Sequence, residues 1–210
     1  MVRDTPEAAS LLDEAERMLD RLESLGATML CQTAFYPAKG SDSAITTPVA
    51  AIPTPRQKAA EGREERLALC DFVAPEGDYI GCFAVTIGPE IRHELETETD
   101  SYRRLLLQTI ADRLTEATSE WLHRRVRTDL WGYAPDEPED FQAIRQGRYR
   151  GIRPAVGYPS LPDQRLMHTL MAHLAPGEID VTVTENGALS PSSSVAGFYL
   201  ASPMARYFTV

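Results

Sequence analysis

The sequence predicts a single α+β domain whose sheet is largely antiparallel. The chain has 210 residues, the size of one domain, and 43% of them are hydrophobic, which is enough for a sizeable core. Runs rich in strand-forming residues cluster at both ends of the chain, and the middle has helical periodicity. Strands that are segregated from helices along a chain are typical of antiparallel sheets, because parallel sheets need the two to alternate.

The first element is a helix with signals at both ends. Thr5 is suited to the N-cap, Pro6 to the first helical position and Gly26 to the position after the last turn. The apolar residues between them recur at helical spacing, and they are Leu11, Leu12, Ala15, Met18, Leu19, Leu22 and Leu25. This pattern predicts one apolar stripe packed against the core.

The next two runs predict a β-hairpin. The strand-forming runs Thr28–Tyr36 and Ser43–Ile52 are separated by the turn-forming segment Pro37–Asp42, so the predicted hairpin has a long loop.

A short polar helix and two further strands are predicted after the hairpin. The helix opens at Thr54-Pro55 and continues through the charged residues 63–66. The apolar runs Leu67–Val73 and Tyr79–Gly88 are the predicted strands.

The middle of the chain is predicted to be helical from Pro89 to about Thr128. Shorter helices are predicted over Phe141–Arg148 and Gln164–Leu174. Three further strands are predicted near the C-terminus, at Asp180–Asn186, Ser194–Ser202 and Ala205–Val210.

Composition and charge argue against several classes of protein. The three cysteines form no CxxC pair, which argues against a disulfide framework and against a cysteine-bound zinc or iron–sulfur site. No apolar stretch reaches the ~18 residues of a membrane span, and residues 1–10 lack the apolar core of a signal peptide. The net charge is −10, and the excess lies within residues 1–100, which hold 19 acids and 9 bases. An acidic surface repels phosphate backbones. We therefore expect a cytoplasmic protein that binds neither nucleic acid nor membrane.

The motifs of common catalytic and metal sites are absent from the sequence. There is no GxSxG, P-loop, HExxH or GxGxxG pattern, and the histidines have no metal-ligand spacing. We expect His93 and His123 to be solvated or half-buried. The acid cluster Asp136, Glu137, Glu139 and Asp140 is interpreted as a solvated surface. The sequence thus predicts no catalytic residue and no metal site.

One irregular segment is the strongest candidate for a binding site. Prolines and glycines forbid regular structure over Tyr149–Pro162, and a long structured loop of this kind is often functional. Within it, Arg153 is suited to hold a carboxylate or phosphate, and Gly157 lets the backbone pass close to a ligand. The residues alone leave two interpretations open, a pocket for a small anionic ligand and a structural arginine in a proline-braced loop.

Five stretches of the sequence together point to a known family. They are AFYPAKGSDS (34–43), CDFVAPEGDYIGCFAVTIG (70–88), ADRLTEATSEWLHRRVRTDLWGYAP (111–135), YRGIRPAVGYPSLPD (149–163) and SSVAGFYLASPMARYF (193–208). In order and spacing they resemble the activation domain of cobalamin-dependent methionine synthase. The resemblance implies a single domain over residues 1–210 with a bent, largely antiparallel sheet flanked by helices. It also implies that this sequence lacks the N-terminal segment and the C-terminal helical tail of the family.

The resemblance implies two cofactors and a reaction that needs no catalytic acid or base from the protein. The family's domain binds S-adenosylmethionine and holds it over cobalamin that a partner region carries. A flavodoxin-type donor reduces inactive cob(II)alamin by one electron, and the S-adenosylmethionine methyl group then traps the cob(I)alamin. Because the sulfonium methyl is already activated, the protein acts by positioning.

The resemblance also implies a set of residues that bind S-adenosylmethionine. Arg153 would hold the carboxylate of its methionine part, Glu116 would compensate the amino group or sulfonium, and Tyr158 would face the cobalamin. The other residues implied as ligand contacts are Ala155, Val156, Gly157, Tyr199 and Leu200. Alternative interpretations remain open for Glu116 as an exposed helix acid and for Tyr199 as a core aromatic.

Two functions from different classes are therefore kept. The first is a stand-alone reactivation module that acts in trans on a methionine synthase. The second is a non-catalytic module that binds cobalamin or another corrinoid protein as a scaffold and has lost S-adenosylmethionine binding. An ordinary S-adenosylmethionine methyltransferase is a weaker third possibility, because the glycine-rich strand–helix turn is absent. Flavodoxin-type donors are usually acidic, so the acidic first half of the chain, 1–100, would repel them. The neutral second half, 101–210, which carries Arg153, is therefore the expected cobalamin-facing side.

Overall fold

The computed structural model describes residues 5–59, 65–138, 140–175 and 177–210, and within them a five-stranded sheet forms the centre. Its strands are β1 Met29–Gly40, β2 Ala44–Thr46, β3 Ala51–Pro53, β4 Asp78–Ile87 and β7 Ser194–Tyr199, and a separate hairpin consists of β5 Thr182–Val183 and β6 Leu189–Ser190. The sheet has the order β3-β2-β1-β4-β7, and every pair is antiparallel. The predicted α+β class with a bent antiparallel sheet is confirmed.

Helices cover both faces of the sheet in the described parts of the chain. They are α1 Pro6–Ser24, α2 Pro89–Thr97, α3 Ser101–Arg125, α4 Phe141–Arg145 and α5 Leu166–Leu174. The alternation of side chains along β4 explains this layering. Phe83 packs in a cluster with Leu122 of α3, and its neighbour Cys82 packs in a cluster with Leu170 of α5. Strand β4, which lies between β1 and β7, is therefore buried on both faces.

Helix α1 begins and ends as predicted, but its apolar stripe is only partly buried. Thr5 accepts a hydrogen bond from the Ala8 N–H, Pro6 is the first residue, and Gly26 has a φ of +66°. Met18 and Leu22 are buried. The prediction that the whole stripe faces the core is wrong for four of its members, which are exposed, namely Leu11, Leu12, Leu19 and Leu25.

The hairpin after α1 is present, with a shorter loop than predicted. Strand β1 continues through Pro37 to Gly40, and Ser41–Ser43 connects it to β2. The second predicted run is divided into β2 and β3 around Pro48. Pro37 is accommodated within the long pairing of β1 with β4, where it lies opposite Tyr79. Extended proline is compatible with a strand where no ladder hydrogen bond from its nitrogen is required.

Three predicted elements between the hairpin and the C-terminus are wrong. Residues 54–59 and 65–66 have no helix, and residues 60–64 of that predicted helix lie outside the described residues. Leu67–Val73 contains a 3₁₀ turn over Leu69–Phe72 instead of a strand, because Asp71 accepts from the Ala68 N–H and closes the turn. Ala205–Val210 forms no strand.

The irregular segment around Arg153 takes the place that an additional strand would have. Four backbone hydrogen bonds join it to β7 and the residue after it, from Ile152 N to Leu200 O, Leu200 N to Ile152 O, Phe198 N to Pro154 O and Val156 N to Ala196 O. The approach needs Gly197, since a β-carbon there would lie 2.4 Å from Pro154 O. The edge of β7 is therefore covered by the segment that carries Arg153.

Candidate functional site

A cavity of about 700 Å³ opens between α3, the segment that carries Arg153 and residues 207–209. Glu116 and Glu120, one turn apart on α3, line one wall, and Arg153 lines the other. Aromatic and apolar side chains form much of the remaining lining, among them Tyr149, Pro154, Val195, Tyr207 and Phe208. The cavity thus combines apolar surface with charges of both signs.

Arg153 is held in this cavity by its backbone and by its side chain. Its N–H donates to Tyr207 Oη at 3.0 Å. Its Nη2 donates to Glu120 Oε2 at 3.3 Å, and its Nη1 lies 4.0 Å from Glu116 Oε2. Its Nε is buried without a hydrogen-bond partner. Burial lowers the pKa of Arg153, but the nearby acidic groups of Glu120, Tyr207 and Tyr149 together outweigh it, so the net pKa is raised and the guanidinium stays charged.

Tyr158 lies at the mouth of the cavity and is 51% exposed. Its hydroxyl donates to Glu116 Oε1 at 3.2 Å. Burial and the Glu116 carboxylate raise the pKa of Tyr158, so the hydroxyl remains a donor. Tyr158 and Glu116 also line a second cavity of about 790 Å³, which is bounded by Asp112, Gln164 and Ser192–Ala196. The pair therefore separates the two cavities.

A buried arginine supports the floor of the first cavity. Arg127 is 0% exposed, and its Nε and Nη2 donate to the two carboxylate oxygens of Glu137 at 2.6 and 2.7 Å. Its guanidinium carbon lies 3.9 Å from the centroid of the Tyr149 ring, and Tyr149 Oη lies 3.5 Å from Glu120 Oε2. Arg127 therefore fixes two residues, Tyr149 and Glu137, next to the cavity wall.

The acid cluster is divided among different roles. Glu137 is not a solvated surface acid as predicted, because it pairs with buried Arg127. Asp140 caps α4 by accepting from the N–H groups of Gln142 and Ala143. Glu139 lies outside the described residues. No group of three or more potential metal-ligating acids, histidines or cysteines occurs in the described ranges.

His123 is fully buried behind Arg153, contrary to the prediction of a solvated or half-buried side chain. Its ring stacks on Tyr199 with centroids 5.1 Å apart, and its Nε2 lies 3.3 Å from Tyr133 Oη. Burial, reinforced by the cations Arg127 and Arg153, lowers the pKa of His123 well below its usual value. The ring is therefore neutral in the folded protein at neutral pH.

We expect the buried His123 to destabilise the protein in mild acid. The unfolded chain takes up a proton on this ring below its ordinary pKa of about 6.5, whereas the folded chain does not. This residue's contribution to stability is therefore complete above that pKa and falls with decreasing pH by up to about 1.4 kcal/mol per unit. Urea unfolding at pH 7.5 and 5.5 measures this loss.

His123→Gln should show a smaller loss of stability between these pH values than the unsubstituted protein. His93→Gln is the matched control, because His93 is exposed on α2. An equal pH dependence in the unsubstituted protein and in His123→Gln would contradict the assignment.

The structure brings most of the predicted site residues together. Arg153, Glu116, Tyr158 and Ala155 line the first cavity. Val156 lines the second cavity. Gly157, at a φ of +89°, lies in the turn between them, where a β-carbon would lie 2.3 Å from the Gln164 amide nitrogen. The turn itself therefore accounts for this glycine.

Tyr199 and Leu200 lie beneath the site. Both are buried, and Tyr199 is stacked between Phe83 and His123. Neither is among the described residues that line the two cavities. Their predicted contact with the ligand stays a prediction, and their burial favours a supporting role.

Two residues that hydrogen-bond to Arg153 were not predicted from the sequence. Glu120 pairs with Arg153, and Tyr207 accepts from its backbone. The spacing of Glu116 and Glu120 was a usable signal, because residues four apart lie on one face of a helix. Tyr207 offered no such signal, since it lies 54 residues from Arg153 and was assigned to a strand.

The fold and the site together define an α+β domain with a cavity that carries charges of both signs. None of the described helices is both long and apolar enough to cross a bilayer. The chain belongs to the family described as the activation domain of vitamin B12-dependent methionine synthase, whose model matches residues 2–210. The structure is also similar to the crystal structure of the MetH reactivation domain bound to AdoHcy. The TM-score is 0.91 and the identity 32%, over 99% of this chain and 70% of that chain.

Proposed function

We propose that this domain binds S-adenosylmethionine in the 700 Å³ cavity and presents it to cobalamin carried by a partner. The observation that carries the proposal is the position of Arg153 opposite Glu116 and Glu120. S-adenosylmethionine has a carboxylate, an ammonium group and a sulfonium, so a site for it needs charges of both signs. AdoHcy, which the similar MetH domain binds, differs from it by one methyl group.

The residues of the cavity fit the ligand. The Arg153 guanidinium is suited to the carboxylate, and its unpartnered buried Nε supports a polar partner on that side. Glu116 and Glu120 are suited to the ammonium group and the sulfonium. Pro154, Val195 and Phe208 offer apolar surface to the adenosine part.

In this proposal the protein's own contribution is to hold and orient S-adenosylmethionine. When bound, S-adenosylmethionine supplies an activated methyl group, so the protein has to donate or remove no proton at the reacting atom. Tyr158, half exposed at the mouth of the cavity, is the site residue that a cobalamin approaching from outside would meet. Exclusion of water and alignment of two reactants account for catalysis of this kind.

We propose that the domain acts in trans on a methionine synthase. The family model for the activation domain matches residues 2–210, and in this proposal the cobalamin is carried by a partner. The partner is a cobalamin-binding region of methionine synthase or another corrinoid protein, and a flavodoxin-type protein supplies the electron.

Reconstitution in trans tests this proposal. We expect a methionine synthase that lacks its own activation domain, loaded with cob(II)alamin and given a reductant and methyl-labelled S-adenosylmethionine, to form labelled methylcobalamin only when this protein is added. Arg153→Ala should abolish the label. Arg165→Ala is the matched control, because Arg165 is exposed and pairs with its neighbour Asp163.

Two other outcomes separate the alternatives. Binding of S-adenosylmethionine without labelled cobalamin would refute the role in trans and keep the ligand site. Binding of the corrinoid protein without S-adenosylmethionine would favour a scaffold module instead.

A further inference from the structure

The charged groups that line the ligand cavity do not balance. Among the described lining residues, the charged side chains are the carboxylates of Glu116 and Glu120 and the guanidinium of Arg153, which gives a net charge of −1. Arg127 behind the wall adds no net charge, because Glu137 neutralises it through two hydrogen bonds. A cavity with a net negative charge favours a ligand with a net positive charge.

Glu120 occupies the central position in this arrangement. Its Oε2 accepts from Arg153 Nη2 at 3.3 Å and faces Tyr149 Oη at 3.5 Å. Its Oε1 is buried without a hydrogen-bond partner and lies 3.8 Å from Arg127 Nη1, which also has none. Glu120 is thus placed between the buried Arg127 and Arg153 of the ligand site.

We propose that Glu120 is the specificity-determining residue that makes this site select a sulfonium over the corresponding thioether. The inference rests on the proposed function. S-adenosylmethionine carries one carboxylate, one ammonium group and one sulfonium, for a net charge of +1, and the demethylated product has a net charge of zero. The cavity, at −1, therefore attracts the methyl donor more strongly than the product.

A second effect of Glu120 is to position Arg153. Because Glu120 accepts from Nη2, it holds the guanidinium against α3, while Nε, which has no hydrogen-bond partner within the protein, is left for a ligand.

Transfer of the methyl group removes one positive charge from the ligand but none from the protein. Selection by Glu120 therefore favours exchange of product for a new methyl donor.

Measuring how S-adenosylmethionine and S-adenosylhomocysteine bind to a variant that lacks the charge of Glu120 tests this inference. We expect Glu120→Gln to lower the ratio of affinities for S-adenosylmethionine and S-adenosylhomocysteine by about fivefold or more, because one nearby charge is removed. Calorimetry gives both dissociation constants for each protein. If Glu120 had a purely structural role, its substitution would lower the affinities for both ligands by the same factor and leave their ratio unchanged.

Matched variants separate charge from packing. Glu120→Asp retains the charge and should retain most of the selectivity, which keeps the test valid if Glu120→Gln fails to fold. Glu94→Gln removes a carboxylate that pairs with Arg21 on another surface, and its ratio should equal that of the unsubstituted protein.

The failures of the two proposals are distinguishable. An unsubstituted protein that binds neither ligand would overturn the proposed function. An unsubstituted protein that binds both, with the same ratio as Glu120→Gln, would overturn the role of Glu120 alone.

Discussion

Arg153→Ala is expected to weaken the binding of S-adenosylmethionine by about 100-fold or more. Arg153 is the cation that lines the described part of the cavity, and it would pair with the carboxylate of the ligand. Removing one partner of such a buried charge pair costs about 2–5 kcal/mol of binding free energy. Without it, the ligand carboxylate would also face Glu116 and Glu120 unopposed. Isothermal titration calorimetry measures the change directly.

Two further substitutions define what Arg153 contributes. Arg153→Lys retains the charge but loses the forked geometry, so it should recover only part of the affinity. Arg165→Ala should bind like the unsubstituted protein. Unchanged affinity in a folded Arg153→Ala protein would show that the ligand lies elsewhere.

Arg127→Met is expected to lower the free energy of unfolding by about 3–5 kcal/mol. Arg127 is fully buried, and its removal leaves the Glu137 carboxylate, itself only 10% exposed, without its partner. The contact with the Tyr149 ring is lost as well. For a domain of this size the melting temperature should fall by roughly 6–20 °C, which differential scanning calorimetry measures.

The double variant Arg127→Met/Glu137→Gln should recover part of this loss, because no uncompensated charge is then buried. Arg125→Met is the control, since Arg125 lies two residues away but is exposed and pairs with exposed Asp129. A drop in melting temperature for Arg125→Met equal to that for Arg127→Met would contradict the assigned role.

Local signals in the sequence were sufficient for the elements whose ends are set by local chemistry. The cap at Thr5, the proline after it and Gly26 define α1, and the mainly apolar run of β4 defines that interior strand. The run Leu67–Val73 has similar composition but forms a 3₁₀ turn, because Asp71 bonds to the nearby backbone. An apolar run by itself indicates burial and does not determine the backbone conformation.

The sequence indicated the segment that lines the cavity, but it did not indicate which side chains pair with each other there. Arginine within a proline- and glycine-rich segment pointed to an anion, and Arg153 does line a cavity. The prediction that Glu137 lies on the surface failed because its partner, Arg127, is ten residues away, in a π-helical turn over Val126–Leu130 that a loop separates from Glu137. Contacts of this kind depend on how the chain is folded and leave no periodic pattern in the sequence.

The pairing of the Arg153 segment with β7 has an energetic consequence for recognition. A ligand-binding loop that is ordered only on binding loses conformational entropy at that moment, and affinity decreases accordingly. Here four backbone hydrogen bonds within the chain hold residues 152–156 against β7 and the residue after it. The entropy of ordering this loop is therefore lost during folding, and the free energy of each ligand contact is available for affinity.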